Sequence, residues 1–359
     1  MPLRPQNPLK VALLGFTLGL FAGCTTAPST PPAPAPTTGT TPASAKADAP
    51  KVVATTTILC DMVRQIAQET VNLTCLLQPG VDGHVYQPVP ADRKAIENAD
   101  LIFYSGYDFE PGLIKLIQST SNPAPKIAVA ETAVPNPLMG HAHSEAGHSH
   151  DHDHDHDEAD AGADAPDPHV WQSAANGAKM ADVIETALVK LVPDQKAVYT
   201  QNSNALEAEL TQIHQWIAAQ IATIPTASRK LVTTHDAMKY FSAAYNLPVE
   251  GALQGLSTQE KPTATRVKAL VDEVRALQVP TIFAEVVVNP KLIEAVARDA
   301  KVTIADRELY TDSIGAPGSE GSTYPKMLLA NTQIIVEGLN GKYIAFQPPS
   351  DRSTPQSGQ

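Results

Sequence analysis

From Lys51 onward, short β-branched runs alternate with segments of helical period, and this alternation restricts the fold more than any other feature of the chain. "KVVATTT" precedes "DMVRQIAQE", "VNLTCLLQP" precedes "PADRKAIENA", and "DLIFYSG" precedes "PGLIKLIQST". Parallel strands need a crossover between them, and a helix supplies it, so the rhythm predicts βαβ units around a parallel sheet. The same rhythm returns after Arg229, where "KLVTTHD", "VEGALQGL", "PTIFAEV" and "KVTIADREL" alternate with "TATRVKALVDEVRAL" and "PKLIEAVARDA". An α/β fold of two lobes with mostly parallel sheets is expected, one lobe over 51–192 and the other over 225–343.

Between them, residues 193–224 contain no internal Pro or Gly, and Leu206, Leu210, Ile213, Ile217 and Ile221 recur at spacings of three and four. That period is one face of a helix. A helix of about 30 residues extends about 45 Å, longer than one lobe needs, so it is expected to join the lobes as a stiff rod and to limit hinge opening. His214 and Trp216 on this rod are expected to be packing or surface residues.

The ends of the chain are not fold material. Arg4 and Lys10 precede an apolar run from Val11 to Ala22 that stops at "GC", the pattern of an export signal over 1–23. The run is short for a membrane span, which needs about 20 apolar residues. Residues 24–50 are rich in Pro, Thr and Ala and are expected to form an extended tether, with a disordered tail over 344–359. The formal net charge of -12 argues against nucleic acid and favours cations as partners. Beyond the membrane, disulfides persist, and Cys60 and Cys75 are either bridged or a pair of buried free thiols.

In open α/β sheets ligands bind past the carboxyl ends of strands, which draws attention to four positions. His84 leaves the glycine-bearing turn "GVDGHVYQP", and His169 follows Pro168 in "APDPHVW". His235 ends the apolar run of "LVTTHDAMKYF", and Asp312 opens the Gly-rich "TDSIGAPGSEGSTY". Taken singly, each has a structural explanation as a loop, cap or turn residue. Together, three imidazoles and one carboxylate at a cleft between the lobes form a donor set that suits Zn²⁺ and is acceptable to Mn²⁺. Glu285, near another strand exit, is expected to brace this set and not to bind the ion.

A second histidine population is different in kind. His141, His143, His148, His150, His152, His154 and His156 alternate with aspartates in a stretch, 141–164, that has no recurring apolar residue and cannot build a core. It reads either as a solvated loop or as a weak, multi-site metal collector placed just ahead of His169.

The order of these motifs resembles the zinc and manganese solute-binding proteins of bacterial ABC importers, the TroA-like (ZnuA/TroA) family, from about Lys51 to Tyr343. "LFAGC" is similar to a lipobox, which implies cleavage before Cys24 and a lipid on that cysteine, holding the protein to a membrane. "GVDGHVY" keeps the Asp, His and Tyr of the family's first ligand motif, with Gly83 in place of Pro. "DPHVW" matches the second in full, "HDAMKYF" the third and "TDSIG" the fourth, so the resemblance implies His84, His169, His235 and Asp312 as ligands. A histidine at the third position leans toward zinc, while the long ending after Asp312 resembles manganese and dual-metal members. The resemblance further implies a monomer that serves a permease and its ATPase subunit and catalyses no reaction. Two other classes remain to be weighed: a zinc hydrolase, for which Glu285 is the only candidate base, and a surface adhesin that carries metal.

Overall fold

The computed structural model describes residues 49–141, 164–259 and 261–348, all within one compact unit, Ser44–Gln359. The export signal, Cys24, the tether up to residue 48 and His143 to His156 lie outside the described residues.

The N-terminal half is built from β1 (Lys51–Ala54), α1 (Thr57–Ala67), β2 (Asn72–Cys75), α2 (Pro90–Glu97), β3 (Leu101–Tyr104), α3 (Pro111–Ser119), β4 (Lys126–Ala128) and α4 (Val129–Ala133). Its sheet runs β2-β1-β3-β4 with every pairing parallel, Val52 facing Leu73 on one side and Leu101 on the other. The central strand is buried at Val52, Val53 and Ala54, as a strand covered by helices on both faces must be. Thr56 caps α1 by accepting from the Leu59 amide at 3.2 Å. Cys60 on α1 and Cys75 at the end of β2 are joined by a disulfide.

A short antiparallel hairpin follows, β5 (Met139–His141) with β6 (Asp164–Pro166), so the two ends of the histidine-rich stretch are held side by side. Then come α5 (Ala174–Leu191) and α6 (Lys196–Ile221), the latter about 39 Å long at 1.5 Å per residue. The second half comprises β7 (Leu231–His235), α7 (Lys239–Tyr245), β8 (Val249–Gln254), α8 (Ala264–Leu277), β9 (Thr281–Ile282), α9 (Lys291–Ala300), β10 (Thr303–Ile304) and α10 (Tyr324–Gly338). β7 pairs β8 and β9 pairs β10, both in parallel, and the Phe283 amide donates to the Val232 carbonyl at 3.0 Å to join the two pairs.

The helix α6 is less of a free rod than its length suggests. Tyr199, Leu206, Leu210, Ile213, Ile217 and Ile221 are buried, and the helix rests on α5, α1 and α10. Val52 and Phe103 of the first half, Leu210 and Ile217 of α6, and Phe241, Phe283 and Leu328 of the second belong to one continuous apolar cluster. The polypeptide past α10 also returns to α6: the Trp216 indole donates to the Ile344 carbonyl at 3.0 Å, and its ring meets Tyr343 and Phe346 edge-on. Residues 344–346, expected to begin a disordered tail, are therefore pinned.

One buried acid stands apart from the core. Glu110 is fully buried, its Oε1 accepts from the Thr55 hydroxyl at 2.7 Å and the Ser105 amide at 2.8 Å, and Oε2 has no partner. Burial pushes its pKa up to about 7. The folded protein therefore keeps a proton that the unfolded chain releases near the ordinary carboxylate value. Stability falls as pH rises from that value and levels off above about 7, a loss of about 3 kcal/mol. Glu110→Gln should remove this slope and melt higher than the wild type above pH 7. Equal melting differences at acid and alkaline pH would refute the assignment.

Candidate metal centre

His84 sits in the loop between β2 and α2, where Asp82 folds back to accept from its amide at 2.9 Å. The Thr258 hydroxyl of the opposite half holds the other Asp82 oxygen. The His84 ring stands edge-on to Phe109 with centroids 4.7 Å apart. Phe109 also accounts for Gly83: a Cβ there would lie 2.7 Å from the Phe109 ring, so the position is closely packed.

His169 follows the β5–β6 hairpin and begins a short 3-10 turn, Val170–Gln172. Asp167 Oδ1 accepts from its amide at 2.9 Å and from its Nδ1 at 2.8 Å, with both residues fully buried. His235 is the last residue of β7, and its Nδ1 is bonded to Glu285 Oε2. Glu285 Oε1 accepts from the Thr234 and His235 amides at 2.8 and 2.9 Å, and Oε2 accepts from the Thr311 hydroxyl at 3.0 Å. A carboxylate on Nδ1 fixes the tautomer and leaves the Nε2 lone pair for a metal.

Asp312 lies on the strap between β10 and α10, and this strap is latched onto the first half. The Trp171 indole and the Gln172 side-chain Nε2 both donate to the Thr311 carbonyl at 2.7 Å, and the Gly80 backbone amide donates to the Ser313 hydroxyl at 3.1 Å. The Tyr324 amide at the start of α10 donates to Asp61 of α1 at 2.7 Å.

These placements bring all four residues singled out in the sequence to one point. Their candidate ligand atoms lie within 4.8 Å of one another. His169 Nε2 is 3.3 Å from His84 Nε2 and 3.4 Å from His235 Nε2. Asp312 oxygens are 3.6, 3.4 and 3.2 Å from Nε2 of His84, His169 and His235. Four donors about 2.0 to 2.1 Å from a tetrahedral centre stand about 3.3 to 3.4 Å apart. The five contacts of 3.2 to 3.6 Å, with Asp312 Oδ1 toward His169 and Oδ2 toward His84 and His235, approach that spacing, within an outer limit of 4.8 Å for the set. Neither Asp312 oxygen makes a hydrogen bond of good geometry, although the residue is only 2% exposed.

Electrostatics divide the histidines. Burial lowers the His84 pKa to about 3, and the positive fields of His169 and His235 add to that against the pull of Asp312. Burial pulls His235 the same way, but Glu285 and Asp312 together outweigh it and hold the imidazole well above its ordinary value. Asp312 is kept below the usual carboxylate range: burial would raise it, and the three imidazoles, His235 foremost, more than offset that.

Asp167 and Phe109 were not picked from the sequence as parts of the site. Asp167 was visible in "DPHVW", two residues ahead of the histidine it orients, whereas nothing local marks Phe109. Exchanging Glu285 for Gln should weaken metal binding about 10–100-fold, as loss of such a partner commonly does. Competition with a chromogenic chelator measures this, and a change below about twofold would mean that Glu285 does not orient the His235 imidazole for an ion.

Parallel sheets in both halves, a long buried helix and a buried three-histidine, one-carboxylate cluster between the halves are the parts of an α/β protein built to hold a metal ion. The profile of the family described as "Zinc-uptake complex component A periplasmic" matches residues 52–338. The chain belongs to that family. It is 32% identical over 293 residues to the metal ABC transporter substrate-binding lipoprotein SsaB of Streptococcus sanguinis, covering 80% of this chain and 89% of that one. With the manganese-binding lipoprotein MntA of Halalkalibacterium halodurans the identity is 31%, over 81% of this chain and 88% of the relative. Among solved structures, the periplasmic zinc binding protein TroA from Treponema pallidum superposes with a TM-score of 0.72 at 30% identity, covering 81% of this chain and 99% of that one. Among the described residues no helix is long and apolar enough to cross a membrane.

Proposed function

We propose that the protein captures Zn²⁺ outside the cytoplasm through His84, His169, His235 and Asp312 and delivers it to a permease driven by a separate ATPase. The N-terminal lobe, 51–192, supplies two of the ligands, the C-terminal lobe, 225–343, supplies the other two, and a lipid on Cys24 keeps the protein at the membrane. The observation that carries this reading is the convergence of three imidazole nitrogens and a carboxylate within 4.8 Å of one another, all at most 2% exposed. Nitrogen-rich, four-coordinate sites suit zinc.

Manganese is the second reading, favoured by relatives such as MntA that are named for it. Metal analysis of protein purified from its own compartment, followed by competition between the two ions in the wild type and His235→Glu, separates them. Manganese as the sole ion recovered would displace the zinc reading. Competition alone does not decide, because zinc binds more tightly at most nitrogen-bearing sites.

A hydrolase is disfavoured because both oxygens of Glu285, the only candidate base, are already engaged by His235, Thr234 and Thr311. Four protein ligands also leave no position for a reactive water. The histidine-rich stretch is assigned the part of an auxiliary collector. Deletion of residues 142–163 should slow metal transfer to the centre, and an unchanged stoichiometry and rate would remove that part.

A further inference from the structure

We infer that the loop 255–259 of the second half positions His84, a ligand supplied by the first half, and that Thr258 and Gln259 are the two positioning residues. This role presupposes the metal centre proposed above. The three histidines are held differently. Asp167 accepts from Nδ1 of His169 and Glu285 is bonded to Nδ1 of His235, so a carboxylate sets each of those rings. Among the described residues the one carboxylate paired with the His84 ring is Asp312, itself a member of the cluster. His84 also lies between β2 and α2, in a stretch with no helix or strand of its own. Phe109 lies against its ring, but an apolar edge contact gives a ring nitrogen no anchor.

What anchors His84 is its backbone, and the partners come from the opposite half. The Gln259 side-chain Nε2 donates to the His84 carbonyl at 2.6 Å. The Thr258 hydroxyl donates to Asp82 Oδ2, while Asp82 Oδ1 accepts from the His84 amide at 2.9 Å. The amide and the carbonyl of one residue are thus held by two successive side chains, one through Asp82 and one directly. With both fixed, the direction of the Cα–Cβ bond is fixed, and only staggered side-chain rotations remain for the Phe109 ring to restrict. A ligand placed in this way is preorganised without a carboxylate of its own.

The same loop is tied to a second ligand. His235 pairs with Gln254 in the β7–β8 register, and the amide of Asp236, next along the chain, donates to the Gly255 carbonyl at 3.1 Å. The Gln254 side-chain Nε2 donates to the Thr258 carbonyl at 3.1 Å, and the Gln259 amide donates to the Ser257 hydroxyl at 3.2 Å. The loop is therefore a short brace from the strand end that bears His235 to the residues that hold His84, and it sets the separation of two ligands from opposite halves. Gln259 is exposed and Thr258 half-buried, and neither belongs to the apolar clusters, so exchanging their side chains leaves the core intact.

Wild type, the double variant Thr258→Val, Gln259→Ala and the single variant Thr258→Ser, each as the full chain, are compared in two measurements. Chelator competition gives zinc affinity, and the visible spectrum with Co²⁺ reports the geometry and number of ligands around the ion. The double variant should bind zinc about tenfold or more weakly. Its cobalt absorption should lose intensity as water takes the place of a loosened imidazole. Thr258→Ser keeps the hydroxyl and should stay within about threefold of the wild type in affinity, with an unchanged cobalt spectrum. A double variant that melts lower yet binds both ions as the wild type does would overturn the positioning role, and so would a Thr258→Ser variant as impaired as the double one. A wild type that takes up neither ion would sink the metal centre itself, and the brace with it.

Discussion

Replacing His235 by Ala is expected to weaken zinc binding by more than about a hundredfold, because loss of even an orienting partner costs 10–100-fold. The substitution removes a proposed ligand and also leaves Glu285 buried with its imidazole partner gone, retaining only the Thr234 and residue 235 amides and the Thr311 hydroxyl. Removing one member of a buried charged pair is strongly destabilising, so part of the effect should appear as a lower melting temperature of the metal-free protein. The two contributions are separable. Metal titration well below the variant's melting temperature reports coordination alone, and an affinity within about threefold of the wild type would exclude His235 as a ligand. Zinc should raise the wild-type melting temperature and leave the variant's nearly unmoved at the same concentration.

Zinc affinity is also expected to fall about tenfold per pH unit for each proton the ion displaces. The sign follows from the metal-free site. His235 holds its proton well above the ordinary imidazole value because Glu285 and Asp312 face it, so around neutral pH the ion must expel that proton to bind Nε2. Below the raised value, acid competes directly with zinc, and affinity rises as pH rises. His84 behaves oppositely: with its pKa lowered to about 3 it is already neutral through the physiological range and adds no competition until strong acid. Calorimetry in buffers of different ionisation enthalpy counts the protons, and at least one should be released near pH 7. Affinity that stays flat between pH 5 and pH 8 with no proton release would contradict the arrangement.

The positions that converge could be picked out because each lies at or beyond a strand end and carries a donor, a relation that period and residue type make visible one segment at a time. The long helix was equally legible, since Leu206 through Ile221 keep one face over several turns. What could not be read were relations between distant segments. Glu285 stands fifty residues from His235, and only the folded sheet tells whether it binds a metal or a histidine. The disulfide between Cys60 and Cys75 depended on a Cα separation, 5.8 Å, that spacing does not supply. The sharing of one apolar cluster by both halves was hidden because amphipathic periods give the buried face of α6 but not its neighbours. β9 and β10 fall inside the runs "PTIFAEV" and "KVTIADREL" but keep only two residues each, a length those runs do not reveal.

The burial of the four converging side chains has a kinetic meaning. Ligand exchange at a hydrated ion proceeds through incoming water, and a centre whose donors are at most 2% exposed admits little of it. The lifetime of a captured ion is then governed by how often the surrounding polypeptide opens, and the strap bearing Asp312 opens only when its bonds to Trp171, Gln172, Gly80 and Asp61 give way together. Residence time and equilibrium affinity become separate quantities: a substitution such as Asp61→Ala can hasten escape without touching a ligand, and a receiving membrane protein can gain speed by prying at that strap alone.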